Sequence, residues 1–104
     1  MKIRRGDVVW IVGRDGRRRP GLVLTRDAAI DLLARVVVAP ATRTIRGIPT
    51  EVRLGRDDGM PEDCALSMDN VRVVPKAALK RRITTLRGAR LDEACEAMAY
   101  ALGC

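Results

Sequence analysis

The sequence predicts a mainly β fold with one C-terminal helix, a small twisted barrel on which that helix packs. Three observations carry this expectation. Between Asp7 and Leu86 the apolar residues come in short runs of Val, Ile and Leu, stopped by Gly, Pro, Asp or Asn, which is how strands are punctuated. The connections are short and polar. From Leu91 onward the pattern changes: Leu91, Ala94, Cys95, Met98, Ala101 and Leu102 recur at helical spacing, with Asp92, Glu93 and Glu96 opposite and Gly103 placed as a C-cap.

Each element follows from its residues. Asp7 to Val12, between Gly6 and Gly13, predicts the first strand, with Trp10 read as a core residue. The polar, glycine-punctuated stretch Gly13 to Arg18 is a hairpin loop, and its Arg14, Arg17 and Arg18 line one mouth. Leu22, Val23 and Leu24 form a strand too short for a helix. Pro20 lacks a ladder donor and so marks that strand's entrance, holding Arg19 extended on the rim. Asp27 can cap a short helix over Ala28 to Ala34. The valine run from Arg35 to Ala41 predicts a strand buried on both faces, ending in the polar cluster Thr42 to Gly47. Ile48 to Leu54 alternates and predicts a half-exposed strand; after a loop to Asp63, Cys64 to Val74 carries one or two strands with Asp69 and Asn70 at the bend. Pro75 opens a helical turn through Leu79, and Arg82 to Leu86 is the last strand.

Composition bounds the rest. A chain of 104 residues makes one domain, residues 1 to 104, near the size at which oligomerisation supplies missing burial, so a homodimer is expected. Hydrophobic residues reach 47% but aromatic ones 2%, so the core is aliphatic and aromatic platforms for single strands are not to be expected. Twenty Lys and Arg against thirteen Asp and Glu give +7, dominated by arginine, and imply a polyanionic partner. Three widely spaced cysteines without any histidine predict no structural zinc site. No run approaches a membrane span and no signal-peptide core precedes the first strand, so no membrane contact, reduced thiols and a cytoplasmic location are expected. Cys95 is read as a small core residue.

The ordered blocks Arg5-Gly6-Asp7-Val8-Val9-Trp10, Arg19-Pro20-Gly21-Leu22-Val23-Leu24-Thr25, Val36 to Thr42, Pro49 to Val52, Asp69 to Val74 and Arg82 to Leu86 resemble the MazF/PemK toxin family over nearly the whole chain. The resemblance implies an SH3-like barrel, a homodimer, no metal and no cofactor, and a ribonuclease that cleaves single-stranded messenger, transfer or ribosomal RNA while restrained by a MazE-like antitoxin. It also implies roles. Arg19 matches the family's catalytic arginine and Thr42 its catalytic threonine, while Asp69 matches a position implicated in RNA binding or proton transfer. Ser67 stands where some relatives have a helping arginine, and the loop from Gly13 to Arg18 is shorter than the family's usual one. Around the pair, Arg17, Arg18, Arg43, Thr44, Arg46, Ser67, Asp69 and Asn70 are the expected RNA-binding residues.

Chemistry restricts the roles. RNA cleavage by its own 2′-hydroxyl needs a base, charge stabilisation and an acid, and no histidine is present to shuttle protons. Arg19 does not readily give up its proton, so its chief task is stabilising the phosphorane oxygens and any acid role comes second, with Thr42 orienting the phosphate or the 2′-hydroxyl. Two other classes share the features: a non-catalytic barrel that binds nucleic acid or protein, and a gyrase poison of the CcdB type. The latter relies on a tryptophan near its end, where this chain reads Ala101-Leu102-Gly103-Cys104.

Overall fold

The structure, a computed structural model, describes every residue from Met1 to Cys104. Seven strands, all paired antiparallel, form one curled sheet: β1 Asp7–Val12, β2 Arg18–Val23, β3 Arg35–Thr42, β4 Glu51–Leu54, β5 Cys64–Ser67, β6 Arg72–Pro75 and β7 Leu79–Thr85. Their order is β4-β5-β3-β2-β1-β7, with β6 on β3 beside that path. The one-turn helix α1, Asp27–Ile30, links β2 to β3, and α2, Ala89–Leu102, closes the chain. Since β4 and β7 do not pair with each other, the sheet is a half-barrel with α2 against it, which is the architecture the sequence predicts.

The long strand β3 generates the curl. One edge runs along β2 from Val38 to Pro40; the other is shared, with β6 taking Arg35 to Val38 and β5 taking Ala41 and Thr42. Two partners that follow one another on a single edge must diverge, so the sheet folds over itself at this strand. Two cores result. Val8, Leu22, Ala39, Val52, Leu54, Met60 and Leu66 pack with Ala94 and Ala97 of α2 on one side. Val9, Val23, Ile30, Val36, Val38, Val74 and Leu79 fill the other. At about 25 cal/mol per Å² these branched side chains supply the burial that the missing aromatics would have given.

Several boundaries differ from the sequence reading for local reasons. β2 begins at Arg18, not at Pro20, because residues 18 to 20 are paired only with β1 and the missing proline N–H orphans nothing on the β3 side. Arg26 is the cap of α1, without a side-chain hydrogen bond, and the Asp27 carboxylate instead accepts the Arg5 N–H at 2.8 Å. The helix ends by Asp31, leaving Leu32 and Leu33 exposed. Pro49 cannot donate to a ladder, and β4 starts after it, at Glu51. Within the valine run Val36 and Val38 are buried but Val37 is half-buried, its N–H bonded to the Thr25 hydroxyl. β7 starts at Leu79, earlier than expected, and stops before Leu86. Asp69 and Asn70 lie in a 3-10 turn between β5 and β6, and Gly103 takes φ 72 as the α2 cap, both as expected. No helix is long and apolar enough to cross a membrane.

Candidate active site

Where β2 begins and β3 ends, a groove of about 670 Å³ opens at the surface. Register decides what meets there. Gly21 pairs with Pro40, and each step back along β2 is a step forward along antiparallel β3, so Pro20 comes opposite Ala41 and Arg19 opposite Thr42. Cross-strand neighbours share a face of the sheet with Cβ atoms about 5 Å apart when the ladder is intact. Arg19 and Thr42 are two positions past its last bonded pair, so the strands are parting and the side chains border an opening. Both line the groove.

Trp10 pairs with Pro20 in the β1–β2 register and forms the groove wall with Pro20 and Ala41. It is half-buried and not a core residue, because this wall lies beyond the point where the sheet is covered. Arg17 and Arg18 enter from the hairpin, a tight loop closed by Gly13 N–H to the Arg17 carbonyl at 2.9 Å, with Gly16 at φ 78. Arg14 of the same loop does not line the groove. Opposite, the loop before β5 contributes Met60, Pro61, Glu62 and Asp63, and β5 itself its first residue, Cys64, because β5 pairs with β3 at Thr42 and Ala65.

The electrostatics are mixed. Asp15 lies 3.5 Å from Arg19 and 4.0 Å from Arg17. The Arg17 N–H, helped by both guanidinium groups, holds its carboxyl below the ordinary value. Arg43 Nε is 2.9 Å from Glu62 Oε2, while Asp63 makes no ion pair. Burial first, then Asp63, Asp58 and Glu62, push the Cys64 thiol up, so it stays protonated. The Thr42 hydroxyl accepts the Thr44 N–H at 3.1 Å, which leaves its proton available to a phosphate oxygen.

Of the residues singled out in the sequence, Arg17, Arg18, Arg19, Thr42 and Arg43 come together in the groove. Thr44 and Arg46 follow on the exposed loop after β3, outside its lining; the Arg46 N–H is held by Glu51 at 2.9 Å. Ser67, Asp69 and Asn70 form a separate cluster. Ser67 Oγ accepts from Asn70 at 2.7 Å and the Asp69 carboxylate accepts the Thr50 hydroxyl at 2.6 Å. They stand at the other end of β5 from Cys64, about 10 Å away along the strand. The carboxylates in the groove are Glu62 and Asp63, which the sequence placed in an unassigned loop. Cys95 is half-buried, and its sulfur receives Arg5 Nη2 at 2.8 Å, so it ties α2 to the N-terminal segment instead of filling the core.

Comparison with known proteins assigns this architecture. The sequence model of PemK-like, MazF-like toxins of type II toxin-antitoxin systems matches residues 4–102. The chain is 43% identical to the probable endoribonuclease MazF2 of Mycobacterium tuberculosis over 98% of its own length and 100% of that protein's. It is 42% identical to the probable endoribonuclease MazF5 of the same organism, covering 96% and 93%. Among solved structures it superposes on Mycobacterium tuberculosis toxin MazF-mt6 with a TM-score of 0.82 at 33% identity, over 92% of this chain and 96% of that one. A mycobacterial endoribonuclease in complex with its cognate antitoxin gives 0.88 at 27% identity, over 98% and 96%. With a matching family model and relatives of this identity along nearly its whole length, the chain belongs to the PemK-like, MazF-like family of type II toxin-antitoxin toxins.

Proposed function

We propose that the chain is a sequence-specific, metal-independent endoribonuclease that cuts single-stranded RNA and thereby inhibits translation and growth, restrained by an acidic MazE-like antitoxin. The observation that carries this is the placement of Arg19 opposite Thr42 at the parting of β2 and β3, in a groove with three further arginines and one tryptophan. In the reaction the 2′-oxygen bonds to phosphorus and the bond from phosphorus to the 5′-oxygen breaks. The 2′-hydroxyl proton leaves to a base and the 5′-oxygen takes one up, giving a 2′,3′-cyclic phosphate and a 5′-hydroxyl. Arg19 offers its N–H fork to the non-bridging oxygens, where charge builds, and donors so placed are worth about 3 to 4 kcal/mol each. Thr42 donates a hydrogen bond from its hydroxyl to the phosphate and holds it in line. Asp63, the groove carboxylate with no ion pair of its own, accepts the 2′-proton.

The groove also suits the antitoxin, because carboxylates pair with guanidinium forks as phosphates do. A homodimer covers large apolar side chains left outside the two cores, among them Tyr100 and Leu102 of α2, 65% and 63% exposed.

The test is cleavage of a long RNA by purified protein in the presence of a chelator, with end-group analysis. Fragments carrying 5′-hydroxyl ends are expected, and Arg19→Ala should lower kcat by about 10² to 10³ with an unchanged circular dichroism spectrum. Parental cleavage by Arg19→Ala, or chelator-sensitive cleavage, overturns the reading.

A further inference from the structure

A second concavity, of about 530 Å³, opens at the start of β1, between the N-terminal segment, the end of β7 and the beginning of α2. Its charged lining is Arg4, Arg5, Arg82 and Arg87 against Asp7, four positive groups and one negative, net +3. The groove described above has Arg17, Arg18, Arg19 and Arg43 against Glu62 and Asp63, net +2, and Asp15 pairs with two of those arginines. The site of cleavage is therefore the less positive of the two.

Pairing separates them further. In the active groove Arg17, Arg19 and Arg43 each have a carboxylate within 4.0 Å, whereas in the second cleft only Arg82 does, 3.2 Å from Asp7. Asp7 has little left to offer the others: it is 1% exposed and accepts the Arg4 N–H, the Thr85 hydroxyl and Arg82. Arg5 gives Nη2 to the Cys95 sulfur, and its buried Nε has no partner, a rare condition for a buried donor. The Arg4 and Arg87 side chains are exposed and without an ion pair. Gly88 caps α2 with no side-chain acceptor, so the positive end of that 14-residue helix adds to the same field. Two arginines are thus fixed in the wall by Asp7 and Cys95, and two are free to close on an anion.

We propose that this cleft binds the phosphate backbone of RNA flanking the cleavage site, as a second anchor that raises affinity without reading sequence. The proposal rests on the ribonuclease reading above and extends it to where the rest of the substrate lies. The two sites meet β1 at Asp7 and at Trp10, three residues or about 10 Å apart, so an RNA seated in the active groove reaches the cleft with nucleotides beyond those the groove holds. The cleft offers forks for phosphate and no aromatic ring for a base. An acidic protein segment would need apolar anchors, which the active groove has in Trp10, Pro20 and Pro61; here only Leu86 and Leu91 are apolar, and Leu86 is 3% exposed.

The experiment compares the parent with the Arg4→Gln/Arg87→Gln variant by fluorescence anisotropy, on a tetranucleotide and on an RNA of about twenty nucleotides, from about 50 to 200 mM salt. Two lost phosphate contacts reduce the slope of log affinity against log salt by about 1.4, so the parent's advantage on the long RNA shrinks about sevenfold across that range. Affinity for the tetranucleotide is expected to stay the same. Equal slopes on the long RNA, or equal losses on both RNAs, overturn the proposal. So does unchanged RNA binding with weakened antitoxin binding, which would give the cleft to the protein partner. Because binding is read without cleavage, a parent that binds long RNA through this cleft but never cuts would sink the ribonuclease reading and leave the anchor standing.

Discussion

Arg43 and Glu62 meet across the groove, Nε to Oε2 at 2.9 Å, with 83% and 58% of their side chains exposed. So exposed a pair contributes little, about 1 kcal/mol at most, and a phosphate can replace the carboxylate. Glu62→Gln should therefore lower KM for RNA about two- to fivefold at low salt, with kcat unchanged, since Arg43 no longer has to be released. A higher KM would mean that Glu62 contacts the RNA itself.

Asp63 is the groove carboxylate without an ion pair, and its replacement separates proton transfer from binding. Asp63→Asn keeps the shape and removes the base, so kcat should fall about 10²- to 10⁴-fold while KM moves little. No histidine is present, so no imidazole should inflect the parent's pH profile near neutrality. An inflection near neutrality that survives in Asp63→Asn would assign the proton to another group.

Trp10 is the chain's one tryptophan and stands on the groove wall. RNA binding should quench its fluorescence. Trp10→Ala should weaken binding by about 1 to 3 kcal/mol, the worth of one stacked base. Full affinity together with unchanged emission would leave the ring as a wall and nothing more.

Asp58 and Arg90 tie the turn after β4 to α2: Arg90 Nε and Nη2 reach the two carboxylate oxygens at 2.9 and 3.2 Å, and Arg90 also donates to the Arg53 carbonyl. Burial alone would raise the Asp58 carboxyl, but the Gly55 N–H and Arg90 outweigh it and hold it below the ordinary value. A carboxyl lowered in the folded state adds stability above its unfolded value, near 3.8, and that stability is lost as pH falls through the folded one. Asp58→Asn should cost about 1 to 3 kcal/mol in urea unfolding at pH 7 and nearly nothing in strong acid. An equal loss at both pH values would point to packing instead of charge.

How legible these features were depends on whether they are local. Strand existence, the helical tail with Gly103 and the turn at Asp69 and Asn70 follow from runs and punctuation, and the structure has them all. Arg19 and Thr42 were singled out by the ordered blocks, and both line the groove that opens two residues past the last β2–β3 pair. Glu62 and Asp63 were missed because a loop has no periodicity to interpret. The usable signal was indirect: a strand starting at Cys64 and running antiparallel to β3 must carry its preceding residues past the end of β3, to Thr42 and Arg43. Ser67, Asp69 and Asn70 came from the same family resemblance, and the extension of β5 sets them three or more residues along from Cys64, outside the groove lining. Asp27 lost its capping role to a competitor far away in the chain, the Arg5 N–H, which no local rule foresees.

The pairing of Gly21 with Pro40 has a consequence for how such a protein diversifies. Main-chain hydrogen bonds, which are indifferent to side-chain identity, set where β2 and β3 part, two residues before Arg19 and Thr42, whereas the surfaces around that opening come from three separate loops, after β1, after β3 and before β5. Insertions or substitutions in those loops can retune which nucleotides are accepted while the alignment of Arg19 with Thr42 is inherited intact. A lineage can thus drift from one target sequence to another through intermediates that all still cut.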